Sequence, residues 1–92
     1  MRVLITGAGG DSGISTIRSL AWSANTFSVD SNENASGFIL SDDHKVVPSA
    51  KDPSFINTIK DIIVDENINF VFPNVDEELS IFAANKKIIP QA

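Results

Sequence analysis

The stretch Val3-Leu4-Ile5-Thr6-Gly7-Ala8-Gly9-Gly10-Asp11-Ser12-Gly13-Ile14-Ser15 decides the fold. Three consecutive apolar residues run straight into a glycine-rich turn, so the segment reads as a strand buried on both faces. Beyond the turn, Ile14, Ile17, Leu20 and Ala21 recur at helical spacing, with Trp22 at the margin of that face. Ser12 is placed to cap this helix and Asn25, a residue tolerant of the left-handed conformation, to end it. Strand, glycine turn and helix in this order make the first part of a βα unit, and the same alternation continues down the chain.

Thr26 to Asp30 is β-branched and aromatic enough for a second strand, followed by a polar turn from Ser31 to Ser36. Phe38-Ile39-Leu40 fits either a helical turn or a short extended piece, because three residues carry no usable period. Lys45-Val46-Val47-Pro48 predicts a third strand ended by a proline, which lacks the N–H a ladder needs. The next helix is the clearest element: Asp52 as N-cap, Pro53 in the first position, a stripe of Phe55, Ile56, Ile59, Ile62 and Ile63, and an end near Asn67. Ile68 to Phe72 predicts a fourth strand stopped by Pro73. A third helix, capped by Asn74 or Asp76 and carrying Leu79, Phe82 and Ala83, follows, with Glu77 and Glu78 favouring its dipole. Lys86 to Pro90 predicts a fifth strand. The expected architecture is a three-layer, Rossmann-like, doubly wound α/β sheet of about five parallel strands in the order 3-2-1-4-5.

Composition narrows the function classes. Against a usual ~100–200 residues per domain, 92 residues make a single domain, residues 1–92, with no room for a two-lobed catalytic cleft. Seven basic against twelve acidic residues give a net charge of −5, which argues against nucleic acid and anionic membrane as partners. No cysteine is present, so disulfides and thiolate chemistry are excluded, and no apolar run is long enough for a signal peptide core or a membrane span. A cytoplasmic location is the expectation.

A glycine turn between strand and helix lets the backbone approach a ligand closely, and free N–H groups at the helix start favour an anion. Gly7, Gly10 and Gly13 fit the looser every-third-residue spacing of short-chain dehydrogenases and epimerases, and Asp30 stands where a ribose hydroxyl would be bound. The chain has no tyrosine, so a Tyr and Lys catalytic pair cannot be completed. His44, between Asp43 and Lys45, reads as a solvated loop residue.

The run from Val3 to Ser15 and then Val29-Asp30, Val46-Val47-Pro48, Asp52-Pro53-Ser54-Phe55-Ile56 and Phe72-Pro73-Asn74-Val75-Asp76-Glu77-Glu78-Leu79 resembles the N-terminal, pre-ATP-grasp domain of ATP-grasp ligases. Within that group it is most similar to carbamoyl phosphate synthase large subunit-like proteins. The resemblance covers nearly the whole chain in order. The Val-Val-Pro before a capped helix and the Pro-x-x-Asp-Glu-Glu-Leu after the fourth strand separate it from epimerases.

The resemblance implies the substrate-side N-terminal domain of an ATP-dependent carboxylate–amine ligase, catalytically incomplete alone. ATP and magnesium would be bound by ATP-grasp lobes outside this chain, supplied in cis or as a separate subunit. No catalytic or metal-binding residue is therefore carried over to these residues. The contribution implied for this domain comes from Gly9, Gly10, Asp11 and Ser12, whose amides would orient a small-molecule carboxylate or acyl phosphate, and from Asp76, Glu77 and Glu78 after the fourth strand, of which Asp76 or Glu77 would grip an amine. A truncated NAD(P)-binding epimerase or reductase domain and a non-enzymatic small-ligand or partner-binding module remain alternatives, and a homodimer is left open.

Overall fold

In the computed structural model, which describes residues 1–87, the first strand β1 (Arg2–Ile5) sits inside a parallel sheet and leads through the glycine turn into α1 (Asp11–Leu20). The chain then forms β2 (Asn25–Asp30), a 3₁₀ helix (Ser36–Leu40), β3 (Asp43–Val46), α2 (Phe55–Asp65), β4 (Phe70–Phe72) and α3 (Asp76–Ala84). The strand order is β3-β2-β1-β4, all neighbours parallel, with Leu4 opposite Phe27 on one side and Val71 on the other. This is a Rossmann-like α/β sheet, and its four strands follow the expected order. The predicted fifth strand falls mainly on residues outside the described part of the chain.

Burial on both faces explains why Val3, Leu4 and Ile5 form an uninterrupted apolar run. Leu4 belongs to the larger core with Phe27, Val29, Phe55, Ile59, Val71 and Phe82, under α2 and α3. Val3 and Ile5 point the other way, against Ala8 of the glycine turn, Ile17 of α1, Ala35 just before the 3₁₀ helix and Phe38 within it. The sheet is thus covered on both sides, and its carboxyl ends meet at one edge.

Several element boundaries differ from those expected. Ser12 does not cap α1: Gly10 occupies the cap position without a side-chain bond, and Ser12 is the second helical residue. The helix stops at Leu20, Ala21 and Trp22 are exposed, and Asn25 already belongs to β2. The third strand lies two residues earlier than its apolar pair suggested. All four β3 side chains are exposed at a sheet edge, whereas Val47 turns inward beyond the strand while its amide donates to the Asp30 carbonyl at 3.0 Å. His44 is accordingly an exposed strand residue, stacked on Phe38 with ring centroids 4.4 Å apart.

Asp52 does supply cap-type bonds, accepting the amide and hydroxyl of Ser54 at 2.9 and 2.7 Å, but α2 proper begins at Phe55. The Ser54 amide holds the Asp52 carboxyl below its ordinary value. Asn67 takes the left-handed conformation, φ 53°, just after α2 ends. Neither Asn74 nor Asp76 caps α3, which starts after Val75 with no side-chain cap. Asn74 is used instead to join β1 to β4: its backbone N–H donates to the Thr6 hydroxyl at 2.8 Å, and its side-chain amide donates to the Thr6 and Phe72 carbonyls, each at 3.3 Å.

Two glycines set how closely the layers approach. A Cβ on Gly13 would lie 2.0 Å from the Gly7 carbonyl oxygen, and one on Gly37 would lie 2.4 Å from that of Ala8. Both obstacles are backbone and cannot swing away. Gly10 has open space around the corresponding position, its nearest neighbour 3.6 Å away. Gly13→Ala should therefore lose about 3 kcal/mol or more, and Gly10→Ala about 1 kcal/mol or less, as read from urea unfolding midpoints at constant slope.

Candidate functional site

Every strand delivers residues to one pocket at the carboxyl edge of the sheet. β1 contributes Gly7, β2 contributes Asp30 and Ser31, the segment after β3 contributes Val47 to Lys51, and the segment after β4 contributes Val75, Glu77 and Glu78. The cavity encloses about 240 Å³. Open α/β sheets present ligands at this edge, because the loops leaving successive strands diverge there.

Asp30 joins the pocket to the glycine turn. One carboxylate oxygen accepts the Gly9 amide at 2.8 Å and the other accepts the Asn32 amide at 2.8 Å. The Gly10 amide is also satisfied within the turn, donating to the Gly7 carbonyl at 2.9 Å. Among the described residues, the amides of Asp11, Ser12 and Gly13 have no protein acceptor, as expected at a helix start. Gly7 itself has φ 69°, the left-handed value that lets the chain leave β1 and double back into α1.

Of Gly9, Gly10, Asp11, Ser12, Asp76 and Glu77, the residues expected to meet a substrate, only Glu77 lines the pocket, alongside Gly7, Asp30 and Glu78, which the sequence named for other reasons. Gly9 is tied to the pocket wall through Asp30, whereas Gly10, Asp11 and Ser12 lie on the exposed start of α1, and Asp76 is exposed in the first turn of α3. The glycine turn and the acidic turn of α3 are thus neighbours with Asp30 between them, not one wall of one cavity.

Glu78, named in the sequence among the acidic residues after β4 but given no ligand contact of its own, is the one the structure buries. It shares the inner face of α3 with Phe82, four residues on, and is only 6% exposed, while the expected core residue Leu79 is 48% exposed. Oε1 of Glu78 is buried without a hydrogen-bond partner. Burial pushes its carboxyl up to about 7, the Thr6 hydroxyl opposes that rise, and the negative charges of Asp30 and Glu77 add to it. A hint existed in the sequence: placing Phe82 inward also places the residue one helical turn before it inward.

Four parallel strands with a pocket across their carboxyl ends define a Rossmann-like α/β domain. The chain belongs to the PylC-like N-terminal domain family, whose model matches residues 3–91, within the pre-ATP-grasp group of ATP-grasp ligase N-terminal domains. No curated protein matches the chain. No helix among the described residues is long and apolar enough to cross a membrane, and none of their His, Asp or Glu side chains form a group of three or more able to hold a metal ion.

The raised Glu78 carboxyl has a stability consequence. Between the ordinary glutamate range and pH 7 the folded protein keeps a proton that the unfolded chain releases, so this group's contribution to stability falls as pH rises through that window. Glu78→Gln removes the buried charge while keeping the shape. At pH 8 it should melt higher than the parent by about 4–8 °C for each kcal/mol relieved, and the gap should close at pH 5, as followed by circular dichroism.

Proposed function

We propose that this chain is the substrate-side domain of an ATP-dependent carboxylate–amine ligase, with the carboxyl-edge pocket as the place where the non-nucleotide substrate is held. The observation that carries it is the pocket itself: all four strands of a pre-ATP-grasp sheet converge on one acidic cavity. Its contribution is positional. A substrate fixed against the sheet edge is brought to a reacting partner with little loss of freedom left to pay in the transition state.

The described residues do not suit a nucleoside triphosphate. Two of the turn amides that would cradle phosphate are engaged by Asp30 and by the Gly7 carbonyl, and the pocket sets Asp30, Glu77 and Glu78 against the single cation Lys51. ATP and magnesium are therefore assigned to ATP-grasp lobes of the same assembly, and no step through them is derived from these residues. Of the two residues expected to grip an amine, Glu77 lines the pocket and Asp76 does not, so a bound amine meets Glu77 as negative potential at the exposed rim of the cavity. The free amides of Asp11, Ser12 and Gly13 are the part of the turn still able to meet a carboxylate or acyl phosphate. A relation to carbamoyl phosphate synthase large subunit-like ligases in particular rests on the sequence motifs alone.

The test is acceptor-dependent release of ADP by the intact protein given ATP and magnesium, with a panel of carboxylates as acyl donors crossed against a panel of amino acids and simple amines as acceptors. At least one acceptor should stimulate release. Ala50→Phe, which fills the pocket, should raise the acceptor KM about tenfold or more and leave the ATP KM unchanged. Failure of every acceptor, or an equal effect of the variant on both KM values, would overturn the assignment.

A further inference from the structure

We propose that Glu78 is the specificity residue of the pocket, recognising the ammonium group of a small primary alkylamine whose carbon chain lies along the apolar wall. The proposal rests on the substrate-side assignment above and extends it to a substrate class and a residue.

Two independent features converge. Glu78 is 94% buried and leaves one carboxylate oxygen without a donor, an arrangement that is costly unless something completes it. The same side chain lines the cavity, so the missing donor can arrive from a ligand. The surroundings favour a cation over a neutral donor. Asp30, at the end of β2, and Glu77, on α3 itself, are the charged groups that act on Glu78, and both are negative. Lys51, on the segment after β3, is the only cation of the pocket wall and forms no ion pair with any of the three among the described residues.

The kind of cation follows from geometry. The carboxylates do not form a group able to hold a metal ion, which disfavours a divalent cation as occupant. An ammonium is compact, carries three donors and needs no fixed coordination shell. Val47, Pro48, Ala50 and Val75 supply an apolar wall for the attached carbons. Glu77 and Asp30 then act at longer range, raising the local preference for positive charge without competing for the buried position.

Binding should depend on pH with a definite sign. Below about 7 Glu78 is protonated and offers no counter-charge, whereas above it the carboxylate is ionised and an alkylammonium, which keeps its proton to about pH 10, can pair with it. Affinity therefore rises with pH, and each binding event near neutrality releases a proton.

The experiment is calorimetric titration of the intact protein with n-butylammonium chloride, with n-butanol as the neutral control. Butylammonium should bind about tenfold more tightly at pH 8 than at pH 5.5, with proton release visible in buffers of different ionisation enthalpy, and butanol should show no such dependence. Glu78→Gln should weaken it about tenfold or more and abolish the pH dependence, while Glu77→Gln should change affinity by about threefold or less. Equal binding of butylammonium and butanol, or pH-independent binding by the parent protein, overturns the proposal without needing any variant to fold. The two assignments fail separately. Acceptor-dependent ADP release with an acceptor KM unmoved by Glu78→Gln removes the role of Glu78 and leaves the ligase; pH-linked butylammonium binding with no acceptor-dependent release does the reverse.

Discussion

The close approach of α1 to the turn that precedes it governs the rest of the molecule. Gly13 packs its backbone against the Gly7 carbonyl with no room for a Cβ, and Gly37 does the same against Ala8 from the other side. The turn after β1 is therefore clamped between a helix and a 3₁₀ segment. With that turn fixed, the Gly9 amide is held where the Asp30 carboxylate can take it, and Asp30 in turn fixes the end of β2 and the Asn32 turn beyond it. Small residues here serve packing first, and any ligand at the turn must use what packing leaves free.

At the opposite, amino end of the sheet a single side chain gathers the layers. Arg2 donates to the carboxylates of Asp43 and Glu66 and to Asn25, and its guanidinium lies 5.3 Å from the centre of the Phe27 ring. This ties β1, β2, β3 and the end of α2 together. Polar satisfaction is nearly complete in the rest of the described chain: buried Thr26 pairs with Asp42, and buried Ser28 shares a hydrogen bond with Ser41. Against that background the bare oxygen of Glu78 is an exception, and exceptions of this kind concentrate at functional sites.

Most of the fold is legible in the apolar pattern, because the elements that matter most are buried on a recognisable period. Val3 to Ile5 reads as a doubly buried strand, and the stripe from Phe55 to Ile63 reads as a helix; both are found so. The pattern fails where burial is not the cause of structure. β3 is a strand because its backbone pairs with β2, yet its side chains are all exposed, so nothing in Asp43 to Val46 alternates. Caps fail for a related reason. Ser12 and Asn74 have the right chemistry for caps, but Gly10 is needed where the chain enters α1, and Asn74 is drawn into bonds with Thr6.

The candidate site was legible by edge but not by residue. Turn composition locates the carboxyl ends of β1 and β4, while the side chain that matters is hidden by its own charge: a glutamate in a first helical turn reads as a dipole partner, and only the tertiary placement of α3 turns Glu78 inward. Asp30 misleads in the complementary way. Its position after the second strand matches a ribose-binding acid, and in this structure its two oxygens accept the Gly9 and Asn32 amides, so what it is seen to do is hold the turn that shapes the site. An acid held in this way is a source of fixed negative potential. That potential bears on Glu78, so the carboxylate that holds the glycine turn also strengthens the acidic character of the pocket beside it.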